Sequence, residues 1–306
     1  MEKEKYGEIL SVLPIRLRSV MESRMQEDPR LQEIRLRTGR PAGVCRDGKE
    51  VFLTETGLLT AADIQETMEF VSRFSMYAYE DELRQGYLTI RGGHRVGIAG
   101  KVVLQQGLIR SVRDISGIHI RIAGAWKDCA LPVLPWVYEM GDLINTLILS
   151  PPGKGKTTLL RDLIRLVSDG NHDGEGLSVS VVDERGEIGA CERGVPQHDL
   201  GMRTDVLDGC PKVHGMRMML RSMSPQVIAV DEIGSMSDLE AIMEICGCGC
   251  RILATAHADS LEHLVQKEGF SRLYQQQLFG RYLLLDEQKV GKIRAVYDEK
   301  GEKILR

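Results

Sequence analysis

One stretch of the chain decides its fold: Thr146-Leu-Ile-Leu-Ser150-Pro151-Pro152-Gly153-Lys154-Gly155-Lys156-Thr157-Thr158. An apolar run ends in a turn rich in glycine and proline, and an amphipathic stretch follows. This order of strand, glycine turn and helix is typical of a phosphate-binding loop, whose backbone N–H groups face phosphate oxygens at a helix N-terminus. The stretch therefore predicts a site for a nucleoside triphosphate and Mg²⁺.

Each residue type in this loop suits a part of that chemistry. We expect backbone N–H groups from Gly153 to Thr157 to bind phosphate, Lys156 to reach the β- and γ-phosphates, and the Thr157 hydroxyl to bind Mg²⁺. The usual pattern begins with glycine, and Ser150 stands there instead, which is small enough for the turn. The predicted nucleotide-binding residues are Ser150, Pro151, Pro152, Gly153, Lys154, Gly155, Lys156, Thr157 and Thr158.

A second apolar run, Val227–Val230, is followed directly by two acids, Asp231 and Glu232. Four apolar residues in a row are typical of a strand buried on both faces. Ligands bind at the carboxyl ends of strands in an open parallel sheet, so both acids are expected beside the loop. Asp231 suits Mg²⁺, usually through water, and Glu232 suits orienting or deprotonating a water.

Two further predicted strands end in polar residues. Val181-Val182 leads into Asp183-Glu184-Arg185-Gly186-Glu187, for which we favour a role near the nucleotide over an ordinary solvated strand end. Ile252–Ala256 leads into His257, which suits a hydrogen bond to the γ-phosphate or to the attacking water. The residues alone leave His257 open between that role and a structural one.

Arginines cluster ahead of the loop, near Gly92-Gly93 and Gly97. Hydrolysis of nucleoside triphosphates is commonly accelerated by an arginine from outside the nucleotide's own loop. For any single arginine a solvated strand face is the simpler interpretation, and for the group we favour function. The members are Arg91, Arg95, Arg110, Arg113 and Arg121.

The chain has 306 residues, room for about two domains at roughly 100–200 residues each. Residues 1–125 predict a mixed α+β domain: helices at 7–27, 61–73 and 77–85, a strand at 31–37, a hairpin turning at Asp47-Gly48, and further strands from 86 to 122. Residues 126–142 are predicted as a linker. From 143 to 306, strands alternate with helices, which predicts a mainly parallel sheet with helices on both faces and a closing antiparallel hairpin. Its strands are predicted at 143–149, 177–182, 227–230 and 252–256, and its helices at 157–167, 213–223, 238–246 and 261–268.

Composition excludes several classes of protein. Forty basic and 44 acidic residues give a net charge of −4, which does not favour a general nucleic-acid binder. The N-terminus lacks the apolar core of a signal peptide, and no apolar run approaches the ~20 residues of a membrane span. A cytoplasmic location is therefore expected.

Among seven cysteines, the Cys246-Gly-Cys248-Gly-Cys250 spacing does not match a zinc site, so we expect packed residues rather than ligands.

The combined motifs resemble the stage III sporulation AA family of endospore-forming bacteria, which is similar to the hexameric ATPases of type II and type IV secretion and pilus systems. The segments that carry the resemblance are Glu33–Arg37, Gly92–Gly97, Ser150–Arg161, Val182–Arg185, Gly194–Gln197, Arg203–Pro211, Arg221–Pro225, Val230–Gly234 and Thr255–Ala258. It implies a RecA-like P-loop ATPase domain preceded by a smaller α+β domain, with ATP and Mg²⁺ as cofactors.

The resemblance also implies roles for individual residues. Secretion ATPases have an acidic box, which Glu184 and Glu187 resemble, and a histidine box, which His257 resembles. They use N-terminal-domain arginines near the γ-phosphate, for which Arg95 and Arg113 are the nearest matches. Where those ATPases commonly have Gly-Glu this chain has Asp231-Glu232, so the catalytic base is open between Glu184 and Glu232. The tetracysteine module of some secretion ATPases is absent from the sequence.

The expected function is Mg²⁺-dependent ATP hydrolysis by an oligomeric motor, a hexamer by resemblance, that powers a channel between mother cell and forespore. Its expected partners are further copies of the chain and membrane channel proteins, with peripheral membrane contact in the mother cell and no nucleic acid. The alternatives are a nucleic-acid-dependent RecA-like ATPase and a scaffold that binds ATP with negligible turnover.

Overall fold

The computed structural model describes residues 2–73, 86–105, 107–124, 126–171 and 174–305. It divides into two compact units, an N-terminal unit, Met1–Gly124, and a C-terminal unit, Ala125–Arg306. The domain bounds and the linker inferred from the sequence stay predictions, and the predicted helix at 77–85 lies outside the described residues. Within the described ranges, no helix combines the length and apolarity that crossing a membrane requires.

The helices of the N-terminal unit are α1 (Glu2–Ser11), α2 (Ile15–Glu27) and α3 (Ala61–Val71). The single helix predicted for residues 7–27 is wrong, because Pro14 separates α1 from α2. Pro14 has an extended backbone, with φ −54° and ψ 140°. Proline has no N–H to continue a helix and disfavours helical geometry in the residue before it, so the apolar spacing continues across a break in the backbone.

The sheet of the N-terminal unit is antiparallel and has the order β3-β2-β1-β6-β5-β4. The predicted hairpin turn is confirmed, since Asp47 and Gly48 both have positive φ, 49° and 76°. Buried side chains from the helices and from the sheet form one core, including Leu17, Met21, Leu36, Ile64 and Val96. The strands are β1 (Glu33–Arg37), β2 (Ala42–Arg46), β3 (Lys49–Leu53), β4 (Tyr87–Ile90), β5 (His94–Gln105) and β6 (Leu108–Arg121).

The main sheet of the C-terminal unit has the order β13-β12-β14-β15-β9-β16-β17-β18. Pairings from β13 to β16 are parallel and the last two are antiparallel, as the closing hairpin predicted. Its strands are β9 (Thr146–Ser150), β12 (Val179–Asp183), β13 (Thr204–Asp208), β14 (Val227–Val230), β15 (Arg251–His257), β16 (Arg281–Leu285), β17 (Ile293–Tyr297) and β18 (Lys303–Leu305). Two short antiparallel pairs lie outside it: β7 (Tyr138–Glu139) with β8 (Asp142–Leu143), and β10 (Gly170–Asn171) with β11 (Gly174–Glu175).

Helices cover both faces of this sheet. On one face α4 (Lys156–Asp169) packs Leu160 and Leu163 against Ile148 and Val181. On the other face, side chains of the remaining helices pack against alternate strand residues such as Leu147. This arrangement confirms the predicted α/β fold with a mainly parallel sheet. The helices are α4 (Lys156–Asp169), α5 (Lys212–Met223), α6 (Met236–Gly247), α7 (Leu261–Gln266) and α8 (Phe270–Gln275).

Candidate nucleotide site

The parallel strands end together at one edge of the sheet. His257 on β15 lies opposite Ser150 on β9, and Val230 on β14 lies opposite Val182 on β12. The strand order is β12-β14-β15-β9, so the residues that follow these ends are neighbours. The edge therefore brings together the glycine loop, His257, the Asp231-Glu232 pair and the acidic segment after Asp183.

The loop between β9 and α4 has the backbone geometry that its glycines allow. Gly153 and Gly155 have φ of 71° and 94°, in the left-handed region where a side chain is strained. A Cβ on Gly155 would also lie 3.4 Å from Gly291, whose N–H donates to the Lys154 carbonyl at 3.0 Å. The loop leads directly into the N-terminus of α4, where free N–H groups and the helix dipole favour an anion.

Lys156, the first residue of α4, turns its ammonium into this edge and is 5% exposed. Its Nζ donates to the carbonyls of Ser150 and Pro151, both at 3.3 Å, and lies 3.0 Å from Nδ1 of His257. Burial lowers the pKa of Lys156, and the nearby Asp231 and Glu232 oppose that shift. An ammonium only donates, so with Lys156 charged Nδ1 of His257 accepts and Nε2 carries the proton.

Asp231 receives hydrogen bonds from both sides of the site. The Thr157 hydroxyl donates to its Oδ2 at 2.6 Å, and the Thr255 hydroxyl donates to its Oδ1. Thr255 also accepts the backbone N–H of Glu232 at 2.8 Å. A hydroxyl and a carboxylate oxygen side by side fit Mg²⁺, which takes a few protein oxygens, phosphate and water rather than an all-protein cage. Thr255 is not among the site residues predicted from the sequence, where its signal is a hydroxyl near the end of an otherwise apolar strand.

Glu232 has two cationic or protic partners and an unusual backbone. Its carboxylate lies 2.9 Å from Nε2 of His257 and accepts from Nη1 of Arg185 at 2.8 Å. Its φ is 51°, a region that non-glycine residues seldom adopt. Glu184 is held differently, in an ion pair with Lys212 at 2.8 Å. Of the two candidate bases, Glu232 is the one hydrogen-bonded to the histidine.

Asp183 shapes the segment that carries Glu184, Arg185 and Glu187. Its buried carboxylate accepts three backbone N–H groups, from Glu187 at 2.8 Å, Ile188 at 2.9 Å and Gly189 at 2.7 Å. Burial raises the pKa of Asp183, and the three N–H groups oppose the shift. The carboxylate therefore stabilises a turn. Glu187 lines an acidic cleft together with Glu184, Arg185, Lys212, Asp231 and Glu232.

Arg161 on α4 fastens the same turn from the other side. It donates to the carbonyls of Ile188 at 3.0 Å and Glu187 at 2.7 Å. Burial lowers the pKa of this guanidinium. Asp183 and Arg161 thus hold the acidic segment against α4. No local sequence pattern distinguishes Arg161 from a solvated helix residue.

The two arginines predicted to act on the γ-phosphate lie in the N-terminal unit. Arg95 on β5 stacks over the Tyr87 ring, 4.9 Å from its centroid. Arg113 on β6 is exposed and lies opposite Lys101. Their action on a nucleotide stays a prediction.

The cysteines near the end of α6 lie in the C-terminal unit. Burial raises the pKa of Cys246 to about 12 and of Cys250 to about 11. No group of three or more metal-binding side chains is found among the described residues.

The sheet, the glycine loop and the acids at the strand ends define a P-loop protein of RecA-like fold. Solved structures support this class. The chain is similar to the Legionella pneumophila ATPase DotB, with a TM-score of 0.57, 17% identity and coverage of 87% of this chain and 75% of that one. It is also similar to the pilus retraction motor PilT with bound ADP, with a TM-score of 0.62, 15% identity and coverage of 89% and 78%.

The chain belongs to the family described as sporulation stage III, protein AA, whose model matches residues 3–304. It is 43% identical to the stage III sporulation protein AA of Bacillus subtilis (strain 168) over 302 residues, which are 98% of this chain and 97% of that protein. Both findings confirm the resemblance inferred from the motifs.

Proposed function

We propose that the chain binds ATP with Mg²⁺ at the carboxyl edge of its parallel sheet and hydrolyses it as an oligomeric motor of the secretion type. One observation carries the proposal: the Thr157 hydroxyl and the Asp231 carboxylate meet at 2.6 Å beside the buried ammonium of Lys156. A cation, a hydroxyl and a carboxylate at a helix N-terminus are the set that a nucleoside triphosphate and its metal ion need.

The residues of the loop then share the binding. Backbone N–H groups from Gly153 to Thr157 hold the phosphates, and Lys156 turns from the Ser150 and Pro151 carbonyls to the β- and γ-phosphates. Thr157 and Asp231 hold the magnesium ion, which when bound neutralises charge developing on the transferred phosphoryl group. Thr255 keeps Asp231 in place through the hydrogen bond that it donates.

For hydrolysis we assign the base to Glu232. Its carboxylate follows the metal-binding Asp231 directly and is oriented by His257 and Arg185. A positioned carboxylate of this kind orients an attacking water and takes its proton. Glu184 forms an ion pair with Lys212. We therefore propose that Glu184 and Glu187 make the wall of the acidic cleft polar and do not transfer a proton.

The motor we propose is a ring, as the resemblance to secretion ATPases implies, in which Arg95 and Arg113 of one chain reach the γ-phosphate on another. Its place is the mother-cell side of the membrane around the forespore, in peripheral contact with the proteins of a channel. Family membership and the similarity to DotB and PilT support this assignment. Nothing in the site favours the nucleic-acid-dependent alternative.

The test is ATP turnover by Lys156→Ala. We expect phosphate release to fall to background, because no other cation of the loop occupies the buried position beside the strand end. Lys49→Ala, which removes an exposed lysine from the N-terminal unit, is the matched control and should retain turnover. Normal turnover in Lys156→Ala would overturn the catalytic assignment.

A further inference from the structure

A second pocket lies beside the first turns of α4. Its lining includes Trp126, Lys127, Thr158, Arg161, His198 and Asp199. We refer to it as the Trp126 pocket. It is separate from the acidic cleft that Asp231 and Glu232 line, and none of the residues assigned above to proton transfer belongs to it.

Two contacts hold the residues that follow Trp126 in the chain. Lys127 forms an ion pair with Asp199 at 2.6 Å, which joins the two walls of the pocket. The backbone N–H of Ala130 donates to the Asp162 carboxylate of α4 at 2.8 Å. The chain next to Trp126 is therefore held against α4 and against the segment that carries Asp199.

The pocket begins where the phosphate loop ends. Thr157 turns its hydroxyl to Asp231, and the next residue of an α-helix is rotated by about 100° from it. Thr158 consequently faces a different side of α4, and it lines the Trp126 pocket. If the terminal phosphates of a nucleotide lie beside Asp231, the opposite end of the nucleotide lies beside Thr158. Its ribose and base are therefore expected next to Thr158.

Trp126 presents a large flat surface there. Trp126 is 71% exposed, an unusual position for the largest apolar residue type. Nucleic-acid bases stack on such rings through their π-faces. The two fused rings of a purine match the extent of an indole, and the Lys127–Asp199 pair, half exposed on both sides, can exchange its partners for ribose hydroxyls.

We propose that the Trp126 pocket holds the ribose and purine base of the nucleotide whose phosphates lie in the Ser150–Thr158 loop, with the base stacked on Trp126. This inference rests on the proposed function and adds to it the group that recognises the nucleoside. It divides the site into two parts: the loop binds phosphate whatever is attached to it, and Trp126 makes the binding depend on a base.

The experiment compares ATP with inorganic tripolyphosphate, each with Mg²⁺, on the full chain. Trp136→Phe leaves Trp126 as the single tryptophan. In that background we expect ATP to quench the tryptophan emission in a saturable manner, whereas tripolyphosphate, whose binding is followed by calorimetry, leaves the emission unchanged. We expect Trp126→Ala to weaken ATP binding about tenfold, to leave tripolyphosphate binding unchanged, and Trp126→Phe to restore most of the affinity.

Three outcomes overturn the inference, and they are distinguishable from one another. Unchanged ATP affinity in Trp126→Ala means that the base lies elsewhere, although the loop still binds phosphate. An equal loss for ATP and tripolyphosphate means that Trp126 supports the loop rather than a base. Binding of neither ligand by the unsubstituted chain overturns the proposed function, and this inference with it.

Discussion

At the scale of single residues, the site depends on how each carboxylate is held. Asp231 and Glu232 are adjacent in sequence, yet one faces the Thr157 hydroxyl and the other faces His257. The Thr255 hydroxyl separates them, because it donates to Asp231 and accepts the N–H of Glu232. One buried hydroxyl thus holds the carboxylate of Asp231 and the backbone of Glu232.

This arrangement predicts different outcomes for the two candidate bases. Glu232→Gln keeps the shape and the hydrogen bond to His257 but cannot take a proton, so we expect kcat to fall by roughly 10²–10⁴-fold with ATP affinity retained. Glu184→Gln should lower kcat by less than about tenfold, since it loses mainly a partly exposed ion pair with Lys212. Phosphate release and ATP binding measured on both variants decide between them. A larger loss in Glu184→Gln would move the base to the acidic box.

At the scale of elements, α3 begins with a capping box that is tied to α2. Asp63 accepts from the Thr60 N–H and hydroxyl at 2.6 and 2.7 Å, and Arg16 donates to both of its oxygens at 2.6 Å. The Arg16 guanidinium holds the pKa of this buried carboxyl well below its usual range. The ionised form is therefore the one that stabilises the fold.

The stabilisation that Asp63 contributes to the fold depends on pH. A carboxyl with a lowered pKa contributes its stabilisation in full above the usual Asp range, about 3.9, and loses it as the pH falls further. We expect Asp63→Asn to cost about 1–2 kcal/mol at neutral pH, and the difference from the unsubstituted chain to shrink on acidification. Urea unfolding followed from neutral to acid pH measures this. The exposed Asp47→Asn is the control, and a difference that grows in acid would contradict the assignment.

Helix α5 packs on β12 through a glycine. A Cβ on Gly215 would overlap Cγ1 of Val182 and lie 3.3 Å from the Cys210 sulfur. Gly215→Ala should therefore cost about 1–3 kcal/mol through overpacking, although alanine is the better helix former. Gly7 in α1 meets nothing within 4 Å, and Gly7→Ala should stabilise by about 0.5–1 kcal/mol. The denaturant midpoints of both variants measure the two changes in stability. A Gly215→Ala variant as stable as the unsubstituted chain would show that α5 and β12 can move apart at little cost.

The sequence predicted the buried elements better than those at the edges. Strand β14 has the predicted bounds because Val227–Val230 is an uninterrupted apolar run, buried on both faces. Strand β13 was missed, since Thr204–Asp208 pairs on one side only and has exposed acids in place of an apolar run. Within the site, the motifs marked the acids, whereas Thr255 and Arg161 act through contacts with residues distant in sequence, on a neighbouring strand end for Thr255 and on the turn after Asp183 for Arg161.

In the proposed ring, the two units of one chain serve different nucleotide sites. If Arg113 acts on a neighbour's nucleotide, Lys156→Ala and Arg113→Ala chains are each inactive alone and complement each other when mixed. At equal amounts we expect about a quarter of the interfaces to combine an intact loop with an intact arginine. Phosphate release, measured with the mass from light scattering, reports both activity and assembly.

The controls for this mixture lie on the same sheet. Lys49→Ala on β3 removes an exposed cation outside the arginine cluster and should leave activity near that of the unsubstituted chain. A second mixture, with Arg95→Ala in place of Arg113→Ala, shows which of the two arginines acts on the nucleotide of a neighbouring chain. Assembly without any recovered turnover in either mixture would mean that these arginines do not act between chains.

The backbone of Glu232 has a consequence for how this position tolerates change. At a φ of 51° glycine and asparagine are the residues with least conformational cost, and a glutamate there is strained. Selection of a random library for folding alone should enrich glycine and asparagine at 232, whereas selection for ATP turnover should return glutamate. Stability and function would then rank the residue types at position 232 in opposite orders. This is expected of a residue that is kept for function although it lowers the stability of the fold.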